Sequence, residues 1–186
     1  MVGKGRFWCS GCATVLVLPH VFDREDLVYF SEECPALKLL VLTSYSICNE
    51  HKDIFPGLLV KWKNLEFLTI GYCSYILEVL ELIHIHLPKF IGLCIKDTEI
   101  DDVLASAIVA AKKLECLDVR SCTGFAEDDE EILKLSSGIK NFWCDGSKSE
   151  KDRIDILEIS LEDFHSIIMD SVHIESDLDI LYHSWN

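Results

Sequence analysis

Apolar residues recur along the chain in a fixed code. Residues 114–122 read LECLDVRSC, with apolar residues at the first, fourth and sixth positions and a cysteine at the ninth. Residues 65–73 read LEFLTIGYC and follow the same code. Weaker copies begin at positions 13, 37, 90 and 139, so the copies follow one another at nearly regular intervals. The chain therefore repeats one structural unit.

Repeats with this code are the signature of leucine-rich repeats, which are about 20–29 residues long. Each unit supplies a short strand and a helix, and neither can bury its apolar side alone, so the units must stack. The pattern predicts an α/β fold: a leucine-rich-repeat solenoid, a short, curved, right-handed βα superhelix with a parallel sheet inside and helices outside. We expect an irregular lead-in over 1–12, about six repeats over 13–147 and an acidic C-terminal cap or tail over 148–186.

Each copy places a strand first and a helix second. The predicted strands are 15–18, 38–42, 66–70, 91–95, 115–119 and a weaker one within 139–144. The predicted helices are 23–34, 51–62, 75–86, one that is capped by Thr98 or Asp101 and runs to 112, and 127–137. Pro56 and Gly57 interrupt the first half of the second of these helices.

The ninth residue of the code lies where the chain turns away from the strand and leaves backbone amide and carbonyl groups inside. The equivalent residues are Tyr45, Cys73, Thr98, Cys122 and Ser147. We expect Cys73 and Cys122 to be buried structural residues, because neither has the nearby cations or helix N-terminus that lower a thiol pKa.

Charge and cysteine content narrow the class of protein. The net charge of −15 disfavours binding to nucleic acids and to anionic membranes. No apolar run approaches the length of a membrane span, and no N-terminal segment has the order of a secretory signal. We therefore expect an intracellular protein, cytoplasmic or nuclear, whose nine cysteines are reduced and mostly buried.

The residue types that carry chemistry do not form a recognisable catalytic or metal motif. Cys9 and Cys12 form a C-x-x-C pair, but no second pair completes a zinc site. His84 and His86 would lie on different faces of a helix. No nucleophile-elbow, phosphate-loop or H-E-x-x-H motif is present, although a Cys–His pair from distant residues stays open. We expect no enzymatic activity, no metal and no cofactor.

Residues that alternate with the core positions form a second row on each strand, on the concave side of the predicted solenoid. The predicted protein-binding residues in and just beyond this row are Phe67, Thr69, Lys96, Asp118, Arg120, Asn141 and Trp143. Trp and Arg are enriched at binding hot spots, so we expect Trp143 and Arg120 to serve partner capture and not folding. The alternative is that the C-terminal segment or a separate N-terminal module folds over this side.

In register, the copies resemble the cysteine-containing repeat region of plant F-box/leucine-rich-repeat proteins. The resemblance is carried by CPALKLL at 34–40, WKNLEFL at 62–68 and LECLDVRSCTGF at 114–125, which the acidic run 127–131 follows. It implies the substrate-binding region of an F-box subunit of a Skp–cullin–F-box ubiquitin ligase, and so a role in the ubiquitin conjugation pathway.

The F-box, the helical module that docks on the Skp adaptor, has no counterpart in the sequence. Residues 1–12 are too short to hold it, and no displaced copy is found. Binding of the Skp adaptor is therefore expected only if an F-box is supplied. The alternative function is that of a stand-alone repeat scaffold or truncated paralogue, which binds protein without recruiting a ligase.

Overall fold

Short strands and helices alternate along the chain in the computed structural model, which describes residues 11–18, 24–42, 51–111, 113–124 and 137–143. The strands are β1 (Val15–Leu18), β2 (Leu39–Leu42), β3 (Phe67–Ile70), β4 (Gly92–Glu99), β5 (Cys116–Thr123) and β6 (Asn141–Trp143). The helices are α1 (Arg24–Glu33), α2 (Phe55–Leu59), α3 (Ile76–His86) and α4 (Asp102–Ala110).

The strands form one parallel sheet, in the order in which they occur in the sequence. The residues aligned across the sheet are Val15, Leu39, Phe67, Gly92, Cys116 and Asn141. Each is the third residue of its sequence copy, so the register predicted from the repeats is confirmed. The predicted α/β class, a parallel sheet with helices, is confirmed as well.

The helix boundaries test the local sequence signals. Helices α1 and α3 each begin one residue after the predicted start. Helix α4 is capped by Asp101 rather than by Thr98, because the Asp101 carboxylate accepts a hydrogen bond of 2.8 Å from the backbone N–H of Leu104. The prediction of a helix over 51–62 is wrong: α2 spans only Phe55–Leu59, and Pro56 lies in its first turn, where proline is tolerated. Apart from Ser137, the predicted helix 127–137 lies outside the described residues.

Strands β4 and β5 extend past their predicted ends at Ile95 and Val119, to Glu99 and Thr123. Their pairing changes register after Cys94, which is the behaviour of a β-bulge. Asp97, within this irregular stretch, has a positive φ of 53°. The extension keeps Thr98 and Cys122 next to the sheet.

The helices cover one side of the sheet, which we call the first face. On β2 to β5 its strand residues are Leu40 and Leu42, Leu68 and Ile70, Leu93 and Ile95, and Leu117 and Val119, all at most 1% exposed. They form one cluster with apolar residues of the helices, among them Leu27 of α1, Leu59 of α2, Val79 of α3 and Ile108 of α4. The core positions predicted from the repeat code are confirmed.

Exposed polar contacts join neighbouring copies at the edge where the strands begin. The Nζ of Lys38 lies 3.5 Å from the Glu66 carboxylate, and the Nζ of Lys140 lies 2.7 Å from that of Glu115. Asn64 accepts a hydrogen bond of 2.8 Å from the Nζ of Lys89. Exposed ion pairs contribute only about 0–1 kcal/mol each, so the stacking depends on the apolar first face.

Replacement of Leu68 by Ala tests the first face. The substitution leaves a cavity in a close-packed core, so we expect the free energy of unfolding to fall by about 2–5 kcal/mol. The control is Leu77→Ala on α3, where the side chain is 44% exposed and the expected loss is below about 1 kcal/mol. Urea denaturation of both variants measures the difference, and equal losses would contradict the assignment of this face.

Candidate protein-binding face

The opposite side of the sheet, which we call the second face, carries an apolar cluster of its own. Its members are Val15, Leu39, Val41, Phe67, Cys94 and Cys116, with Ile91 and Trp143 packed against them. None of the four described helices contributes a residue to this cluster. The six principal members are nevertheless buried, with exposed fractions of 1% to 7%.

The structure divides the predicted binding residues into a buried group and a partly exposed group. Phe67, Thr69, Lys96 and Asp118 are buried. Arg120, Asn141 and Trp143 are partly exposed at the β5–β6 end of the sheet. The predicted binding row is thus buried over its central strands.

Asp118 and Arg120 form an ion pair on the second face. The Asp118 carboxylate accepts hydrogen bonds from the Arg120 side chain, 3.0 Å from Nε and 2.7 Å from the terminal nitrogen, and one of 3.1 Å from the Arg120 backbone N–H. The side chains are 3% and 13% exposed. Asp118 and Arg120 are two residues apart on β5, and their opposite charges therefore neutralise each other in surroundings from which most solvent is excluded. The pair also gives Arg120 a role in folding, because removal of the guanidinium leaves the buried Asp118 carboxylate without its counter-charge. That Arg120 serves partner capture stays a prediction.

The Cys94 thiol of this face is held in its neutral form. Burial raises the pKa of the Cys94 thiol well above its usual range, and the negative charge of Asp118 adds to the effect. The Cys116 sulfur accepts a hydrogen bond of 3.4 Å from the side-chain amide of Asn141. A thiol whose pKa is raised carries less thiolate at neutral pH, so Cys94 has the properties of a packing residue and not of a nucleophile.

Phe67 lies across the backbone of the neighbouring strand at Gly92. A Cβ atom at position 92 would fall 2.1 Å from the Phe67 Cδ1 atom, so only glycine leaves room for the ring. The two residues are register partners in β3 and β4. Sequence reasoning placed Phe67 on this face but did not predict its contact with Gly92; the signal for that contact was the only glycine at the third position of the code.

Thr69 has an unusual environment for a hydroxyl group. Its side chain is 1% exposed, and its Oγ1 atom has no hydrogen-bond partner among the described residues. A buried hydroxyl without a partner costs stability. Thr69 therefore contributes a polar atom that the packing of this face does not require.

The cysteines at the ends of the strands agree with their predicted structural role. Cys73 and Cys122 are buried thiols, and the Cys122 thiol donates a hydrogen bond of 3.3 Å to the backbone carbonyl of Ile95. Thr98, at the equivalent position, donates to the carbonyl of Lys96 at 3.0 Å. The equivalents Tyr45 and Ser147 lie outside the described residues.

The expectation that the cysteines are all reduced is wrong at one position. Cys34 is disulfide-bonded. Cys12 is exposed, and Cys9, the other half of the C-x-x-C pair, lies outside the described residues. Within the described part of the chain, no group of three or more His, Cys, Asp or Glu side chains could hold a metal ion.

Comparison with known proteins identifies no relative. No protein-family model matches the chain, and neither a curated protein nor a solved structure matches it. None of the helices in the described residues has the length and apolar character required to cross a membrane. The second face therefore has to be interpreted from its own residues.

Replacement of Gly92 by Ala tests the packing of Phe67. The added methyl group must displace the ring, so we expect the free energy of unfolding to fall by about 1–3 kcal/mol. Gly57→Ala in α2 is the matched control, since nothing lies within 4 Å of its added Cβ atom and alanine favours a helix. Chemical denaturation should show a loss only for Gly92→Ala; an unchanged midpoint would contradict the position of Phe67.

Replacement of Arg120 by Ala tests the ion pair. The change leaves the Asp118 carboxylate buried with a single remaining backbone donor, so we expect a loss of about 3 kcal/mol in unfolding free energy. Addition of Asp118→Asn should recover most of it, because the neutral amide needs no counter-charge.

The control for this experiment is Arg24→Ala, which breaks an Arg–Asp pair with Asp53 whose side chains are 57% and 56% exposed. Exposed pairs contribute little, so we expect a change below about 1 kcal/mol. Equal destabilisation by Arg24→Ala and Arg120→Ala would show that the Asp118 pair is not buried as described.

Proposed function

We propose that the chain is a protein-recognition module built as a leucine-rich-repeat solenoid. Two observations support the architecture: copies of one code at nearly regular intervals in the sequence, and six described strands that pair in the register of those copies. Stacked units of this kind produce an extended surface on the side opposite the helices, and repeat proteins use that surface for binding.

The observation that carries the functional proposal is the β5–β6 end of the second face. Arg120, Asn141 and Trp143 are partly exposed there and lie beside an apolar floor formed by Cys94 and Cys116. An aromatic and an arginine side chain next to a dry, packed patch are the combination found at the centres of protein interfaces. Because the ion pair with Asp118 fixes the guanidinium, Arg120 presents a rigid contact and not a mobile one.

The resemblance in the repeat code extends the proposal to a biological role. By that resemblance the module is the substrate-binding region of a ubiquitin-ligase F-box subunit; the alternative is a repeat scaffold that binds protein without ligase recruitment. Reconstitution with purified Skp adaptor separates the two. A stable complex supports ligase recruitment by this chain, and its absence at micromolar concentration favours the scaffold.

Replacement of Trp143 by Ala tests recognition directly. In affinity capture with the full chain, the Trp143→Ala variant should retain its specific partners at least tenfold less than the unsubstituted chain. Interface aromatics commonly contribute about 2 kcal/mol or more to binding, which corresponds to roughly thirtyfold in affinity. The control is Ile85→Ala on α3, where the side chain is 60% exposed on the helical side. Quantitative mass spectrometry of both captures, with circular dichroism to verify folding, measures the effect. Equal capture by the two variants would overturn the proposal.

A further inference from the structure

One position of the repeat is filled by a buried side chain in three copies and by alanine in the next. In four successive copies the first residue donates a backbone hydrogen bond to the carbonyl three residues earlier, at 3.3, 2.9, 3.2 and 2.9 Å. The residues that accept these bonds are therefore equivalent; they are Cys34, Trp62, Leu87 and Ala111. The first three are at most 1% exposed, whereas Ala111 is only partly buried. A methyl group cannot fill the space that the larger side chains occupy in the other copies.

An apolar cleft lies at this position, between α3 and the connection from α4 to β5. Two of its lining residues, His84 and Lys113, are exposed and mark where the cleft opens to solvent. The volume of the cleft is about 20 Å³, which is room for the tip of one side chain. Its apolar lining consists of Leu80, Ile83, Leu87, Phe90, Ala111 and Leu114.

Lysine residues from three copies lie along the edge on which the cleft opens. Lys63, Lys89 and Lys113 each precede the first residue of a copy by one or two positions, so the stacking of the strands brings them to one edge of the sheet. The Nζ of Lys63 donates a hydrogen bond of 3.5 Å to the backbone carbonyl of His86, at the end of α3. The Nζ of Lys89 donates one of 2.8 Å to the side-chain carbonyl of Asn64. Residues that are far apart in the sequence thus form one basic patch.

The charge of this patch is not neutralised within the described part of the chain. The acceptors of Lys63 and Lys89 are neutral carbonyl groups, and no described carboxylate forms an ion pair with either lysine or with Lys113. The carbonyl groups at the end of α3 supply only about half a negative charge. The patch is therefore cationic in a chain whose net charge is −15, and it is complementary to carboxylates.

We propose that the cleft docks a segment of a partner protein in which one aliphatic or aromatic side chain stands beside Asp or Glu residues. The apolar side chain enters the space next to Ala111, and the carboxylates contact Lys113 and Lys89. The cleft lies on the helical side of the sheet, whereas Trp143 packs on the second face. This docking site is therefore separate from the surface of the proposed function and does not rest on it.

Selection from a random peptide library displayed on phage tests the chemistry of the occupant. The library is first depleted on the Ala111→Leu variant, in which leucine fills the cleft as Leu87 fills the equivalent position, and the unsubstituted full chain is then the bait. We expect the remaining binders to be enriched in sequences with a bulky apolar residue next to Asp or Glu. An absence of binders after depletion, or enrichment of basic or uncharged sequences, would overturn the proposal.

The affinity of one selected peptide for single variants of the full chain tests the site itself. In fluorescence anisotropy, Ala111→Leu and Lys113→Glu should each weaken binding by about tenfold or more, because the first fills the cleft and the second repels the carboxylates. The matched controls are Ala110→Leu, at the exposed neighbouring residue, and Arg24→Glu, the same change of charge on α1. Both controls should leave the affinity unchanged, with circular dichroism to verify folding. Equal losses in the variants and their controls would contradict docking in the cleft.

A second copy of the chain is the other candidate occupant of the cleft. Sedimentation velocity of the unsubstituted chain and of Ala111→Leu, over a range of concentrations, distinguishes the two occupants. The same sedimentation behaviour in both chains agrees with docking of a partner segment. Dimerisation that Ala111→Leu abolishes would assign the cleft to self-association and overturn the proposal.

Discussion

The parallel register of the strands is the constraint on which the other features depend. A strand turns alternate side chains to opposite faces, so a slip of one residue would exchange the two faces along the whole strand. The interval between the copies that start at positions 37 and 65 is the longest in the chain, yet their strands pair without a shift. The added length must therefore lie between β2 and β3, a connection whose described residues include the short helix α2.

The two faces are stabilised by different physical means. The first face is an apolar contact between sheet and helices, in which size and shape matter more than residue identity. The second face contains features that tolerate little change, namely the ring of Phe67 above Gly92 and the pair of Asp118 with Arg120. A buried ion pair contributes little net stability, but loss of one partner is costly. Candidate contact residues on this face therefore also participate in folding.

The sequence predicted the register and the core, and it named Asp101 as one of two candidate caps, because these features depend on local periodicity and on short-range hydrogen bonds. It did not predict that α2 is short. Proline is tolerated in the first turn of a helix, so Pro56 allows α2 to begin at Phe55 but would interrupt a helix that began at residue 51. The extension of β4 and β5 depends on a bulge between two strands that are distant in sequence. The sequence also did not predict that Phe67 is buried, because alternation along a strand assigns a side chain to a face and does not specify its exposure.

The central claim is that the alternation of side chains along each strand separates two faces of the sheet. Helices pack on the first face, and no described helix packs on the second. Methyl–methyl nuclear Overhauser effects in a sample labelled at Leu, Ile and Val test it most directly. The methyl groups of Leu68 and Leu93 should show cross-peaks within the network that includes Val79 and Ile108. Those of Leu39 and Val41 should connect to each other and not to the helices. Cross-peaks from Val41 to the methyl groups of α3 would contradict the account.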